Sequence, residues 1–75
     1  MGSKYPLLPP KDIIKVLTRL GFQKISQKGS HVKYVKNGKP TLTVIIPNHS
    51  EVARGTLKSI LEQANVTLED FLSNL

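Results

Sequence analysis

The sequence predicts a single α+β domain with one helix before a three-stranded antiparallel sheet and another helix after it. Two segments with apolar residues at helical spacing enclose a middle part rich in β-branched residues and glycine turns. A chain of 75 residues is long enough for one thin core and too short for a substrate cavity between subdomains. We therefore expect the order α-β-β-β-α, with a short extra C-terminal helix and any functional site on an open surface.

The first helix is predicted to begin at Pro10, because the missing N–H of proline does no harm at the first helical position. Gly21 is placed to end this helix with a positive φ. Residues 10–75 are expected to form the domain and residues 1–9 an N-terminal extension, in which Met1-Gly2-Ser3 resembles a cloning remnant. Apolar residues in the helix follow the i, i+3, i+4, i+7 spacing of one face: Ile13, Val16, Leu17 and Leu20.

Three strands are predicted between the helices. Residues 22–28 form a weak candidate, which the Lys28-Gly29-Ser30 turn folds back onto a clearer strand at residues 31–36, with Gly29 shaping the turn. Asn37-Gly38 is a strong hairpin signal and leads into a third strand at residues 41–46.

Side chains alternate across a strand, so the second strand has one apolar and one basic face. If the helices cover Val32 and Tyr34, then His31 and Lys33 face outward. We expect Thr41 and Thr43 of the neighbouring strand to lie beside them. This arrangement gives the histidine a polar, solvent-facing environment.

The second main helix is predicted to open at Gly55-Thr56 and to stop at Asn65, and Thr67 can cap the short helix that follows. With both main helices on one face of the sheet, the order of elements matches the double-stranded-RNA-binding-domain architecture. Fold analogy alone supports only a binding function. The apolar stripe of the second helix consists of Leu57, Ile60, Leu61 and Ala64.

The net charge of +6 is distributed unevenly. Residues 1–39 contain nine Lys or Arg and one acid, whereas residues 40–75 contain two basic residues and four acids. A basic half suits the phosphate backbone of RNA, and it would also suit an acidic protein partner. The chain has no cysteine, no apolar run long enough to span a bilayer and no secretory signal pattern, so we expect a cytoplasmic protein without a membrane partner.

Three stretches of the chain are distinctive: Leu20-Gly21-Phe22, Lys28-Gly29-Ser30-His31, and Ile46-Pro47-Asn48-His49 followed by Gly55-Thr56-Leu57-Lys58-Ser59-Ile60-Leu61. Their resemblance to the HicA family of small toxin ribonucleases covers residues 12–75. It implies a double-stranded-RNA-binding-like fold, metal-independent cleavage of messenger RNA, an essential histidine at His31 and neutralisation by a HicB-type antitoxin that covers His31. Val32 departs from the many members with a second histidine at this place, so no histidine pair is expected there.

Cleavage of RNA without a metal requires a base for the ribose 2′-OH and positive charge for the phosphate. Histidine suits the proton transfer, because a reference pKa of about 6.5 leaves both forms populated near neutrality. The five acids are too scattered for a carboxylate-held metal, and two histidines without cysteine do not complete a zinc site, so neither a metal nor another cofactor is expected. The proton donor stays open between Lys28, Tyr34, His49 and water.

His31 is thus the candidate catalytic residue, while His49 is interpreted as a loop residue and a candidate RNA contact. The main alternative is a non-catalytic RNA-binding module in which His31 contacts a sugar or a phosphate. A third hypothesis makes the basic face a docking surface for an acidic protein. The predicted RNA contacts are Lys24, Lys28, Ser30, Lys33, Lys36, Arg54 and Lys58.

Overall fold

The computed structural model describes residues 4–75, so the resemblance of Met1-Gly2-Ser3 to a cloning remnant lies outside the described residues. The strands form one antiparallel sheet in the order β1-β2-β3. This architecture confirms the predicted α-β-β-β-α order with an additional C-terminal helix, compatible with a double-stranded-RNA-binding-domain-like α+β fold. The elements are α1 (Pro10–Arg19), β1 (Gln23–Lys28), β2 (His31–Lys36), β3 (Leu42–Pro47), α2 (Arg54–Ala64) and α3 (Leu68–Ser73).

The helix ends follow the local sequence signals. Gly21, two residues after the end of α1, has φ 101°, a conformation that residues with a Cβ disfavour. Asn65 ends α2 in the left-handed conformation at φ 57°, and its N–H donates to the carbonyl of Glu62. The Thr67 hydroxyl accepts a hydrogen bond of 3.1 Å from the backbone N–H of Asp70, which caps α3 as predicted.

The core lies between the helices and one face of the sheet, which we call the inner face. Val32 pairs with Ile46, and Tyr34 pairs with Val44, so these four side chains share that face. Both α1 and α2 pack against β3. The opposite face, the outer face, is therefore not covered by either main helix. The helix residues buried over the inner face are Ile13, Val16 and Leu17 of α1 and Leu57, Ile60, Leu61 and Ala64 of α2.

Strand β1 contributes no buried side chain, although it pairs along its length with β2. Its register shifts between Lys24 and Ser26, and Ile25 at this bulge is 56% exposed. The apolar residue that anchors this region is Phe22, which is 2% exposed and precedes the strand. A bulge and lysines near both ends make β1 a poor template for pairing with another chain.

The β2–β3 connection is longer than the Asn37-Gly38 signal suggests. Strand β2 ends at Lys36 and β3 begins at Leu42, so five residues form the loop. The third strand is shifted by one residue from the predicted 41–46 to Leu42–Pro47. Among the described residues, no helix has the length and apolar character needed to cross a membrane.

Candidate active site

His31 is the first residue of β2 and follows a tight turn. Lys28 pairs directly with His31, so Gly29 and Ser30 form a two-residue hairpin loop. Gly29 has φ 60° and Ser30 does not have a positive φ, which is the sign pattern of a type II′ turn. The Gln27 side-chain amide donates a 3.0 Å hydrogen bond to the Gly29 carbonyl and supports the loop. The turn therefore determines where the histidine enters the sheet.

The strand register places His31 on the outer face, at the end of the central strand β2. Its cross-strand neighbours are Lys28 on β1 and Pro47 on β3. His31 is exposed, and its imidazole forms no hydrogen bond with another residue in the part of the chain that the structure describes. The His31 side chain is therefore open to a ligand on this face.

Lys33 lies two residues further along β2 and also faces outward. Its partners are Ser26 on β1 and Ile45 on β3, and Ile45 is 40% exposed. Thr43 shares the outer face as predicted, but it pairs with Val35 and not with Lys33 or His31. Thr41 precedes β3 and pairs with neither. The outer face near His31 is consequently less hydroxyl-rich than the sequence suggested.

The loop after β3 approaches the His31 turn through a backbone hydrogen bond. The N–H of Asn48 donates to the carbonyl of Ser30 over 2.6 Å, which extends the β2–β3 contact beyond the strand ends. His49 follows directly, and its Nδ1 atom lies 3.5 Å from Ser50 Oγ. The two histidines of the chain, eighteen residues apart in sequence, thus belong to the same end of the sheet.

The far end of this loop is held by the N-terminal extension. The N–H of Val52 donates to the Leu8 carbonyl over 2.9 Å, and these two residues form an isolated β-bridge. Arg54 Nε donates to the Tyr5 carbonyl over 2.9 Å. Tyr5 and Leu8 also pack against the core. Residues 48–53 are therefore attached to the folded domain at both ends.

The structure brings together three of the seven predicted RNA contacts. Lys28 and Lys33 share the outer face with His31, and Ser30 lies in the turn between Lys28 and His31. All three are exposed. Two lysines and a histidine on one open face form a local concentration of hydrogen-bond donors suited to phosphate.

The other four predicted contacts lie elsewhere. Because of the β1 bulge, Lys24 pairs with inner-face Tyr34, and its amine donates to Gln27 Oε1 over 3.1 Å. Lys36 ends β2 at the opposite end from His31, where its side chain covers Gly21. Arg54 and Lys58 belong to α2, on the covered side of the sheet. Alternation of side chains along β2 already predicts that Lys36 and His31 lie on opposite faces. The bulge that moves Lys24 to the inner face has no signal in the sequence.

Tyr34 is not available as a proton donor on the outer face. It is 7% exposed, and its side chain belongs to the buried set on the inner face. Desolvation by burial raises the pKa of its phenol above the ordinary value of 10.0. Lys28 and His49 remain as residue candidates near His31.

The candidate site is an open surface. Within residues 4–75, no three His, Cys, Asp or Glu side chains lie close enough to hold a metal ion. Two clefts in the described structure lie away from His31: one follows the end of α2, and the other lies between α2, α3 and the N-terminal extension. A ligand of His31 must therefore bind across the surface of the sheet.

A comparison with protein families matches residues 10–66 to the family described as HicA toxin of bacterial toxin-antitoxin. The chain belongs to the HicA toxin family. The HicA match contains the His31 turn, the outer face and the loop with His49, and it places this chain as the toxin of a toxin–antitoxin system with an antitoxin as partner. No curated protein matches the chain.

The folded unit extends beyond the part that matches the HicA family. Phe71 of α3 follows the matched region and is completely buried in the core. Leu8 precedes the matched region and holds Val52. Both flanking segments therefore add contacts to the HicA domain in this chain.

Proposed function

We propose that this HicA-family toxin is a metal-independent endoribonuclease that cleaves messenger RNA with His31 in the cytoplasm. The observation that most supports the proposal is the position of His31 on the open outer face, with Lys28 beside it and Lys33 two residues along the strand. A general base must be reachable by the proton that it removes, and the exposed imidazole meets that requirement.

In the proposed reaction, neutral His31 removes the proton from a ribose 2′-OH. The 2′-oxygen then attacks the adjacent phosphorus, while the ammonium groups of Lys28 and Lys33 stabilise the added negative charge. Positioned positive charge lowers the barrier because the phosphate becomes more negative as the reaction proceeds. The bond to the 5′-oxygen breaks and leaves a 2′,3′-cyclic phosphate.

We further propose that a HicB-type antitoxin inhibits this toxin by covering His31. The outer face carries Lys28 and Lys33 and is not covered by the two main helices, so a protein with a complementary acidic surface could occupy it and exclude RNA. An antitoxin complex in which His31 remained open would contradict inhibition by masking. The third hypothesis, an acidic protein as the main partner of this face, agrees with this role.

The decisive experiment compares the purified chain with His31→Ala on a long single-stranded RNA in EDTA. We expect cleavage by the parent and none by the variant. Because His31 is exposed, the variant should keep the unfolding temperature of the parent and most of its RNA affinity. Glu62→Gln, an exposed change on α2, controls for purification and should cleave like the parent. Equal cleavage by all three proteins would identify a contaminant or another residue and contradict the proposal.

The same surface also supports the second candidate, a non-catalytic RNA-binding module. Lys28, Lys33 and His31 on one open face are sufficient for phosphate contacts without any chemistry. In that case neither the parent nor His31→Ala would cleave RNA, and His31→Ala would lower the RNA affinity only modestly. Binding without cleavage by the parent would therefore replace the nuclease with the module.

A further inference from the structure

We propose that His49 is the proton donor of the same reaction and protonates the 5′-oxygen of the leaving nucleoside. This inference rests on the proposed ribonuclease function and adds a second catalytic residue to it. It assigns His31 and His49 separate roles at one end of the sheet.

The strand register brings the two histidines to the same end of the sheet. His31 pairs with Pro47, and the hydrogen bond of 2.6 Å from Asn48 N–H to the Ser30 carbonyl continues that pairing by one step. His49 is the next residue along the chain. His49 is exposed and lies one residue beyond this hydrogen bond, beside the turn that carries His31.

The loop is held close to the sheet rather than attached at one end only. Asn48 is bonded to the turn before His31, and Val52 is bonded to Leu8 of the N-terminal extension over 2.9 Å. Only three residues, 49–51, lie between these two anchors. A short segment with both ends fixed keeps the range of His49 positions small, which favours a defined proton transfer.

The His49 side chain is exposed, and one of its ring nitrogens has a neighbouring hydrogen-bonding group. Nδ1 lies 3.5 Å from Ser50 Oγ, so Nε2 is the nitrogen left for a ligand. Among side chains, an imidazolium with a reference pKa of about 6.5 is a better proton donor near neutrality than an ammonium with one of about 10.4. His49 therefore suits protonation of the leaving oxygen, whereas Lys28 suits charge stabilisation beside His31.

The step balances without a further reagent. His31 accepts the 2′-OH proton, the 2′-O–P bond forms and the P–O5′ bond breaks. The His49 imidazolium transfers its proton to the departing 5′-oxygen. The products are a 2′,3′-cyclic phosphate end and a 5′-hydroxyl end, with His31 protonated and His49 neutral. Exchange of protons with water restores both histidines for the next cycle.

The test uses a leaving group that does not need a proton. After mapping one cleavage site in a long RNA, an oligoribonucleotide across that site is prepared with either the normal 5′-oxygen or a 5′-bridging sulfur. A thiolate leaves without protonation, so loss of the proton donor slows only the oxygen substrate. Single-turnover rates are measured for the parent, His49→Gln, His31→Gln and the exposed control Gln63→Ala.

We expect His49→Gln to cleave the oxygen substrate roughly 10²–10⁴-fold more slowly than the parent, the range typical of a lost general acid, and the sulfur substrate at nearly the parental rate. His31→Gln should be slow on both, because the 2′-OH still needs a base. Equal slowing of both substrates by His49→Gln would make His49 a binding or positioning residue and overturn the proposal. Parental rates of His49→Gln on both substrates would also overturn it.

The two proposals fail in different ways. If the parent cleaves RNA and His31→Gln does not, while His49→Gln behaves like the parent, only the role of His49 is refuted. If the parent does not cleave RNA at all, the ribonuclease function is refuted and the role of His49 with it. Thermal unfolding of each variant identifies a fold defect, and a variant with lowered stability is replaced by His49→Asn in the same assay.

Discussion

Gly29→Ala should destabilise the domain through the backbone of the His31 turn and not through a steric clash. Gly29 has φ 60°, yet a Cβ built on it would have no atom within 4 Å. An alanine there meets open space but must adopt a left-handed conformation, which costs about 1–2 kcal/mol for a residue with a Cβ. For a domain of this size, each kcal/mol of lost stability lowers the Tm by about 4–8 °C.

Gly55→Ala is the matched control for this prediction. Gly55 lies in the first turn of α2, does not have a positive φ, and also offers free space around an added Cβ. Alanine should therefore leave stability unchanged or raise it by up to about 1 kcal/mol. Urea unfolding gives both values. Equal stability of Gly29→Ala and the parent would refute the backbone argument.

Three further predictions follow from burial and register. Because burial raises the pKa of Tyr34, the folded state loses stability as pH rises above about 10, and Tyr34→Phe should reduce this loss in urea unfolding between pH 9 and 11. Phe71→Ala should lower the free energy of unfolding in urea by about 3–5 kcal/mol, whereas Leu72→Ala, at a 45% exposed position, should change it little. Similar losses of stability in the two variants would contradict the core assignment. Lys33→Gln should weaken RNA binding more than Lys24→Gln in fluorescence anisotropy, because only Lys33 shares the outer face with His31, and the reverse order would contradict RNA binding on that face.

Local signals predicted the elements of this chain well. The apolar stripe of α1 and the glycine that ends it are encoded within one stretch of sequence, and the structure confirms both. Asn65 at the end of α2 and the Thr67 cap of α3 are equally local. Each of these features depends on backbone conformation or on contacts three or four residues apart, which composition and spacing describe directly.

Pairing between strands was predicted less well. The β1 bulge at Ile25 turns Lys24 towards the inner side, and the five-residue loop shifts β3 by one residue. A shift of one residue changes the cross-strand neighbours of every side chain, so Thr43 lies opposite Val35 and not beside His31. Hydrophobic alternation predicts which face a residue takes, but it does not determine its partner on the next strand.

The sequence alone determined the order of elements, the apolar faces of the helices and the Gly29 turn that precedes His31. Only the tertiary structure decided which charged residues accompany His31, because that depends on the register of three strands and on a bulge. The position of His49 is also tertiary, since it follows from the Asn48–Ser30 hydrogen bond and from the bridge between Leu8 and Val52. Contacts between residues distant in sequence form only when the chain closes around its core, so local patterns do not reveal them.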